Sequence, residues 1–242
     1  MKLIVDSDSI AYYAAFATNK DDKTVDDCYE VIDMVYANIL ADAPDGFNEI
    51  ESYVGGEGNF RFAIYPEYKA NRKDMEKPKY LKEAYAYLVH FWNGTVVNGI
   101  EADDMVAIRA TELGDDCIIV GIDKDLRQIP GKHYNWKKRE FEDITPEQAK
   151  YNFWMQMLTG DTSDNIKGVK GIGPKKAEKL IAEALKRIPN DFGCVDDAIY
   201  EAYNDDELYH QTFHCLRLLR TRDELRQINK TREGAQEGVP GE

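Results

Sequence analysis

The 242-residue sequence predicts an α/β fold: a mostly parallel sheet with helices on both faces, followed by an all-helical region. Three observations carry this. Short apolar runs that end in acids alternate with helical patterns through residue 145. The run at 117–123, CIIVGID, is apolar on both faces, as a central parallel strand requires. Beyond Thr145 the strand patterns stop and only helical spacing continues. The expected organisation is a sheet domain over 1–145, a helical region over 146–228 and a Gly- and charge-rich flexible tail over 229–242.

The first strand is 2–6 (KLIVD), apolar and closed by Asp6. Residues 25–41 carry Val31, Ile32, Val35, Ile39 and Leu40 on one helical stripe. The segment 43–59 (APDGFNEIESYVGGEGN) reads as a loop, and 60–65 (FRFAIY) as the second strand. A helix over 79–92 places Leu81, Tyr85, Leu88 and Trp92 together. A strand at 95–101 (TVVNGIE) again ends in an acid and leads into a helix over 102–113, before the strand at 117–123. Thr145-Pro146-Glu147 opens a helix that runs to about 158, with Thr as cap and Pro at the first helical position. An Asp/Gly-rich stretch over 160–173 leads to a helix with Ala177, Leu180, Ile181, Ala184, Leu185 and Ile188 at helical spacing; two more helices fill 195–225.

Composition narrows the function classes. With 43% hydrophobic and 31% charged residues, 17 Gly and 8 Pro, the chain is neither collagen-like nor of low complexity. No apolar run approaches the ~18 residues of a membrane span, and the N-terminus lacks a secretory pattern, so a cytoplasmic protein with no membrane partner is expected. Cys28, Cys117, Cys194 and Cys215 form no CxxC pair, which excludes zinc-ribbon and redox readings. The net charge of −14 argues, as an average, against nucleic-acid binding. Its distribution argues otherwise.

Three predicted strands end in carboxylates: Asp6; Glu101 with Asp103 and Asp104; Asp123 with Asp125. Ligands of open parallel sheets bind beyond the carboxyl ends of the strands, so these groups should meet at one edge. Asp161 and Asp164 follow at i, i+3 spacing. Two like charges ~4 Å apart cost about 4 kcal/mol at an effective dielectric of 20. A crowd of such acids needs protonation or a cation. All-oxygen ligands without His or Cys favour Mg²⁺ or Mn²⁺ over zinc, and their number suggests two ions. The competing reading is structural: Asp103 and Asp104 complement a helix dipole, Asp6 and Asp123 form turns, and Asp8 and Asp125 cap the segments that follow.

Residues 167–177 read KGVKGIGPKKA, and 165–188 hold seven Lys or Arg against two acids. Gly171 and Gly173 let a backbone approach a phosphate at the start of the next helix. Lys175, Lys176 and Lys179 fall off its apolar stripe, and Lys170 joins them as a DNA-binding candidate, a helix-hairpin-helix signal that grips the DNA backbone without reading sequence. The plain alternative is a Gly turn before a surface helix. The second basic segment, 66–92, holds six Lys or Arg against four acids with tyrosines interleaved, Tyr68 among them. Bases with aromatics suit single-stranded nucleic acid, although core packing explains tyrosines equally well. Lys69 and Arg72 are spaced to hold a phosphate and offset transition-state charge. His210 and His214 lack a third ligand and read as ordinary helix residues.

Together VDSD (5–8), YPEYKANR (65–72), GIEADDMVA (99–107), GIDKDL (121–126) and GDTSDNIKGVKGIGPKKA (160–177) resemble the 5′-nuclease superfamily, most of all its bacteriophage 5′→3′ exonucleases. The resemblance implies a PIN-like sheet domain with a short helical arch over 66–92, then a helical three-turn (H3TH) DNA-binding module. It implies that Asp6, Glu101, Asp103, Asp104, Asp123, Asp125, Asp161 and Asp164 hold two Mg²⁺, for which Mn²⁺ can substitute. It implies that Lys69 and Arg72 contact the scissile phosphate, that the hairpin binds duplex DNA, and that its carbonyls take a K⁺. The expected partner is DNA with a 5′ end (duplex, nick, flap or RNA-primer hybrid), met by a monomer in the cytoplasm of a bacterial host. One departure stands out. Many relatives carry an Asp just upstream of the predicted second strand. Here that stretch is VGGEGNFR, with Gly56 near the place: either Glu57 substitutes, or one metal site is a ligand short. Three rivals remain: a 5′-flap endonuclease of the same chemistry, a PIN-type ribonuclease, and a DNA-binding protein without activity.

Overall fold

The computed structural model describes residues 1–187 and 192–237, without the side chains of Asn229 and 231–237. Ile188 of the expected stripe and residues 238–242 of the expected tail lie outside the described residues. The chain runs β1 (Lys2–Asp6), α1 (Asp8–Ala17), α2 (Val25–Asp42), β2 (Glu49–Asn59), α3 (Arg61–Ile64), α4 (Leu81–Phe91), β3 (Thr95–Gly99), α5 (Ala102–Leu113), β4 (Cys117–Val120), β5 (Gly131–Asn135), β6 (Glu140–Ile144), α6 (Pro146–Thr159), β7 (Gly160–Asp161), β8 (Ile166–Lys167), α7 (Pro174–Arg187), α8 (Gly193–Tyr203), α9 (Asp206–Leu216) and α10 (Arg222–Glu237). Short 3-10 turns occupy Ala70–Arg72 and Lys124–Gln128.

The chain divides into two compact units. Residues 1–60, 76–145 and 218 onward form the first; 61–75 and 146–217 form the second. The second unit takes up the chain again at 146, while 61–75 belong to it and the segment from 218 belongs to the first. The arch region is accordingly built as the 70–72 turn in the second unit and α4 in the first.

In the first unit six strands form one sheet in the order β3-β2-β1-β4-β5-β6. All neighbouring pairs are parallel except β5–β6, an antiparallel edge. β1 and β4 lie at the centre, in register from Lys2–Cys117 to Val5–Val120. Leu3, Ile4, Val5, Ile118, Ile119 and Val120 are all buried, which is why these runs are apolar on both faces. α1, α2 and α4 pool Ile10, Ala14, Ile32, Tyr36, Ala84 and Leu88 in one core cluster, and α5 packs on β1, β2 and β4 outside it.

Two expectations are corrected here. Residues 49–59 are a strand, not a loop, and 61–64 are a helical turn, not a strand. β2 hides because its polar residues are paired. Lys2 reaches both Glu49 and Glu51 at 2.8 Å, and Arg109 grips Glu51 through two nitrogens at 2.7 and 2.8 Å. Buried Ser52 bonds the Tyr36 hydroxyl, which also bonds Ser7. The β5–β6 hairpin, rich in charged residues, was equally concealed. Helix α10 extends from Arg222 through Glu237, into the stretch read as the tail.

The second unit packs α6, α7, α8 and α9 around Trp154, Leu158, Ala177, Ile181, Val195, Ile199 and Leu216. Arg61 is buried there, its Nε donating to the Cys215 carbonyl at 2.8 Å and its Nη2 to that of Arg217 at 3.2 Å. β7 and β8 pair closely because Gly160 and Gly168 meet backbone to backbone; a β-carbon on Gly168 would lie 2.4 Å from the Gly160 nitrogen.

Candidate active site

The order 3-2-1-4-5 reverses direction between β1 and β4, and such switch points are where open α/β sheets bind ligands. Asp6 closes β1 at this place and is only 5% exposed. Gly121, just beyond β4, borders it: a β-carbon there would make ordinary contact with the Asp6 β-carbon at 3.5 Å but fall 2.4 Å from Leu126 Cδ1. The Asp8 N–H donates to Asp6 Oδ1 at 3.2 Å, and the Ser9 hydroxyl to the Asp6 carbonyl at 2.9 Å. Burial, with the charges of Asp8 and Asp123 added to it, pushes the Asp6 carboxyl up to about 7.

Asp123 caps the turn after β4, accepting the Asp125 N–H at 2.9 Å. It is exposed and Asp125 half-buried. Glu101 is the N-cap of α5 and shares a capping box with Asp104. Asp104 is fully buried. Its Oδ2 accepts the Glu101 N–H at 3.2 Å and its Oδ1 the Leu219 N–H at 3.1 Å. Asp103 Oδ1 takes the Asp104 N–H at 2.7 Å. Asp104 thus ties α5 to the segment from 218, a structural duty that sequence spacing did not reveal.

In the second unit Asp161 and Asp164 are both buried. Asp161 Oδ1 accepts the Ser163 N–H at 2.8 Å and its hydroxyl at 2.6 Å. Asp164 gathers the basic pair: Arg72 Nη2 lies 2.5 Å from Oδ1 and Lys69 Nζ 3.8 Å from Oδ2. Lys69 adopts a left-handed φ of 53° and its N–H bonds the Asp164 carbonyl at 2.9 Å. The Tyr68 hydroxyl donates to Asp164 Oδ2 at 2.9 Å. Tyr68 is 1% exposed, so the expected stacking on a nucleobase gives way to a packing role within this unit.

At the hairpin, Gly171 has φ +79°, which a side chain would strain. Gly173 has no such need, and a β-carbon on it would meet nothing within 4 Å. Lys170, Lys175, Lys176 and Lys179 are exposed, while Ala177, Ile181 and Ala184 face inward. The Lys176 ammonium folds back to the Gly171 carbonyl at 2.8 Å.

The place of the missing acid is also resolved. A β-carbon on Gly56 would fall 2.2 Å from Asn98 Oδ1 and 2.7 Å from the Val97 carbonyl, so the β2–β3 contact admits only glycine. Glu57 is exposed, its N–H donating to Asn98 Oδ1 at 2.8 Å. Register shifts between Gly55 and Asn59 where β2 passes β3. Asp8, which spacing left ambiguous, lies instead against Gly55.

An acid-rimmed, doubly wound sheet in a chain that also carries a Lys-rich glycine hairpin defines a nuclease-type α/β class. Residues 1–153 match the family model for the 5′-3′ exonuclease, N-terminal resolvase-like domain, and the chain belongs to that family. It is 31% identical over 229 residues to DNA polymerase I of Caldicellulosiruptor bescii, covering 83% of this chain and 27% of that protein. It is 29% identical over 157 residues to flap endonuclease Xni of Shewanella baltica, covering 59% of this chain and 60% of the other. The chain therefore spans about a quarter to three-fifths of these relatives. The fold is also that of the bacteriophage T5 flap endonuclease in a complex with DNA and metal ions, with a TM-score of 0.66 at 20% identity over 90% of this chain and 89% of the other. It is likewise similar to the T5 5′-exonuclease with zinc bound (TM-score 0.64, 20% identity, covering 89% of each chain). No described helix is long and apolar enough to cross a membrane.

Proposed function

We propose that the chain hydrolyses phosphodiester bonds near DNA 5′ ends in the 5′→3′ direction, using divalent ions. The observation that carries this reading is the buried Asp6 at the switch point, under the charge of Asp8 and Asp123, in a chain of the 5′-3′ exonuclease family. The donor set fits a hard cation: every side chain is a carboxylate and no His or Cys is among them. Asp6, Glu101, Asp103, Asp123 and Asp125 would hold the ions, two Mg²⁺ with Mn²⁺ as substitute, and sequence assigns Asp161 and Asp164 to the same chemistry. Asp104 would contribute chiefly by fixing the start of α5. When bound, such ions supply an acidified water and positive charge on the leaving oxygen.

The protein's own groups supply the rest. Lys69 and Arg72 are held in place by Asp164, and the Arg72 side chain is 46% exposed, open to a phosphate that would compete with that carboxylate. Lys170, Lys175 and Lys176 are exposed around the start of α7, where a β-carbon on Gly173 would meet nothing, leaving space for a backbone phosphate. A K⁺ at the hairpin would have to displace Lys176 from the Gly171 carbonyl. The second unit is thus proposed as the DNA-gripping module, working in a monomer. The similarity to Xni favours a second reading, cleavage of 5′ flaps by the same residues.

The test is digestion of 5′-labelled duplex, nicked, flap and RNA–DNA hybrid substrates with and without Mg²⁺. Mononucleotides mean exonuclease; longer fragments mean flap cutting. Asp123→Asn should abolish cleavage yet keep DNA binding in Ca²⁺. Full turnover in that variant, or in EDTA, would remove the assignment.

A further inference from the structure

Asp8 is the first residue of α1, two residues beyond the buried acid of β1. A helix-opening acid needs no particular neighbour, because it interacts with its own helix. Asp8 does something else: its carboxylate leaves α1 and lies over the end of β2. Oδ1 accepts the Gly55 N–H at 2.7 Å. A β-carbon on Gly55 would sit 2.8 Å from Asp8 Oδ2 and 3.6 Å from its Cγ and Oδ1. Gly55 has no positive φ. A side chain at 55 would have to push that carboxylate aside, so the close approach of Asp8, and not the backbone conformation, is what favours glycine here. The Tyr85 hydroxyl supplies a second hydrogen bond to Asp8. Ligating carboxylates are commonly oriented by such outer partners.

The same place could have received a carboxylate from β2 itself. Gly56 cannot carry one against Asn98, and Glu57 points to solvent exposure beyond the strand's last pairing with β3 before the shift. We infer that Asp8 is a further ligand of the divalent-ion centre, delivering over Gly55, from the start of α1, the carboxylate that the end of β2 lacks. This inference rests on the metal-dependent nuclease reading above. It assigns to Asp8 a function distinct from helix capping, and it makes Gly55 the permissive partner of that function.

The experiment measures Mn²⁺ binding to the full chain by electron paramagnetic resonance and calorimetry, with thermal melts in EDTA and in Mn²⁺. Asp8→Asn keeps an oxygen for the Gly55 N–H but removes the charge. It should melt no lower than the unmodified protein in EDTA, bind Mn²⁺ about tenfold or more weakly, and gain less melting temperature from Mn²⁺. Glu57→Gln should bind as the unmodified protein does. In Asp8→Ser with Gly55→Asp the carboxylate moves to β2, and binding should recover relative to Asp8→Ser alone. Unchanged Mn²⁺ affinity in Asp8→Asn, together with lost affinity in Asp6→Asn, would overturn the role of Asp8 and leave the centre standing. Unchanged affinity in both would overturn the metal reading itself. Weakening by Glu57→Gln in place of Asp8→Asn would move the role to Glu57, and no recovery in the double variant would overturn the shared location.

Discussion

Replacing Asp6 by Asn should stabilise the metal-free protein at alkaline pH, although it removes a residue at the heart of the proposed active site. Asp6 is buried, and burial, then the charges of Asp8 and Asp123, hold its carboxyl at about 7 against an ordinary 3.8. The unfolded chain gives up this proton first, so between about pH 4 and 7 the folded state holds more protons and stability falls as pH rises. Each tenfold change in proton affinity is 1.36 kcal/mol, which makes the full loss about 4 kcal/mol above pH 7. For a chain of this length that corresponds to roughly 8–16 °C in melting temperature. Asn cannot ionise, and its oxygen can still accept the Asp8 N–H. The assay is a series of thermal melts in EDTA from pH 4 to 8. The unmodified protein should lose about 1.4 kcal/mol per pH unit more steeply than Asp6→Asn across that range. Saturating Mg²⁺ should restore the unmodified protein and leave the variant unaffected. Parallel pH profiles for the two proteins would refute the reasoning, because they would mean that Asp6 ionises without hindrance.

Further outcomes follow from other contacts. Arg109 holds the Glu51 carboxyl down at about 2, so this pair stabilises fully above the ordinary carboxylate value near 4.5 and its contribution fades as pH drops toward 2. Glu51→Gln should cost on the order of 1–3 kcal/mol at pH 7 and flatten that acid limb in chemical denaturation. Gly171→Ala should cost about 1 kcal/mol because of its left-handed backbone. Gly173→Ala should leave the melt unchanged yet weaken duplex binding in Ca²⁺, read by fluorescence anisotropy. Arg72→Ala should lower kcat more than it changes DNA affinity, measured by single-turnover digestion, with Arg72→Lys recovering part of the loss.

The central strands and the acids at their ends could be read directly, because β1 and β4 are buried on both faces and announce themselves by uninterrupted aliphatic runs. β2 could not. Its Glu49 and Glu51 look like loop residues until Lys2 and Arg109 are seen to pair with them, and those partners lie far away in sequence. FRFAIY carries strand-forming residues, yet Arg61 is buried on the carbonyls of Cys215 and Arg217, and tertiary contact overrides local propensity. Among site residues, spacing grouped the acids but not their duties. Asp104 turned out to be bonded to backbone nitrogens, and Tyr68 to be packed inside. Asp8 carried only a faint signal, an acid two residues after another, whose meaning depends on a glycine 47 positions away.

The first unit is not a continuous stretch of chain, since residues from 218 return to it after the whole helical unit has been made. Leu219 and Leu218 offer their N–H groups to Asp104 and to Gln128, and the Arg220 side chain reaches the Gln128 carbonyl. A protein cut after Thr145 would own every strand of the large sheet yet leave a buried carboxylate beside Glu101 short of a donor. During synthesis, too, the acidic rim would stay unlatched until residues 218–220 had emerged, by which time the whole helical unit proposed to hold DNA has already been made.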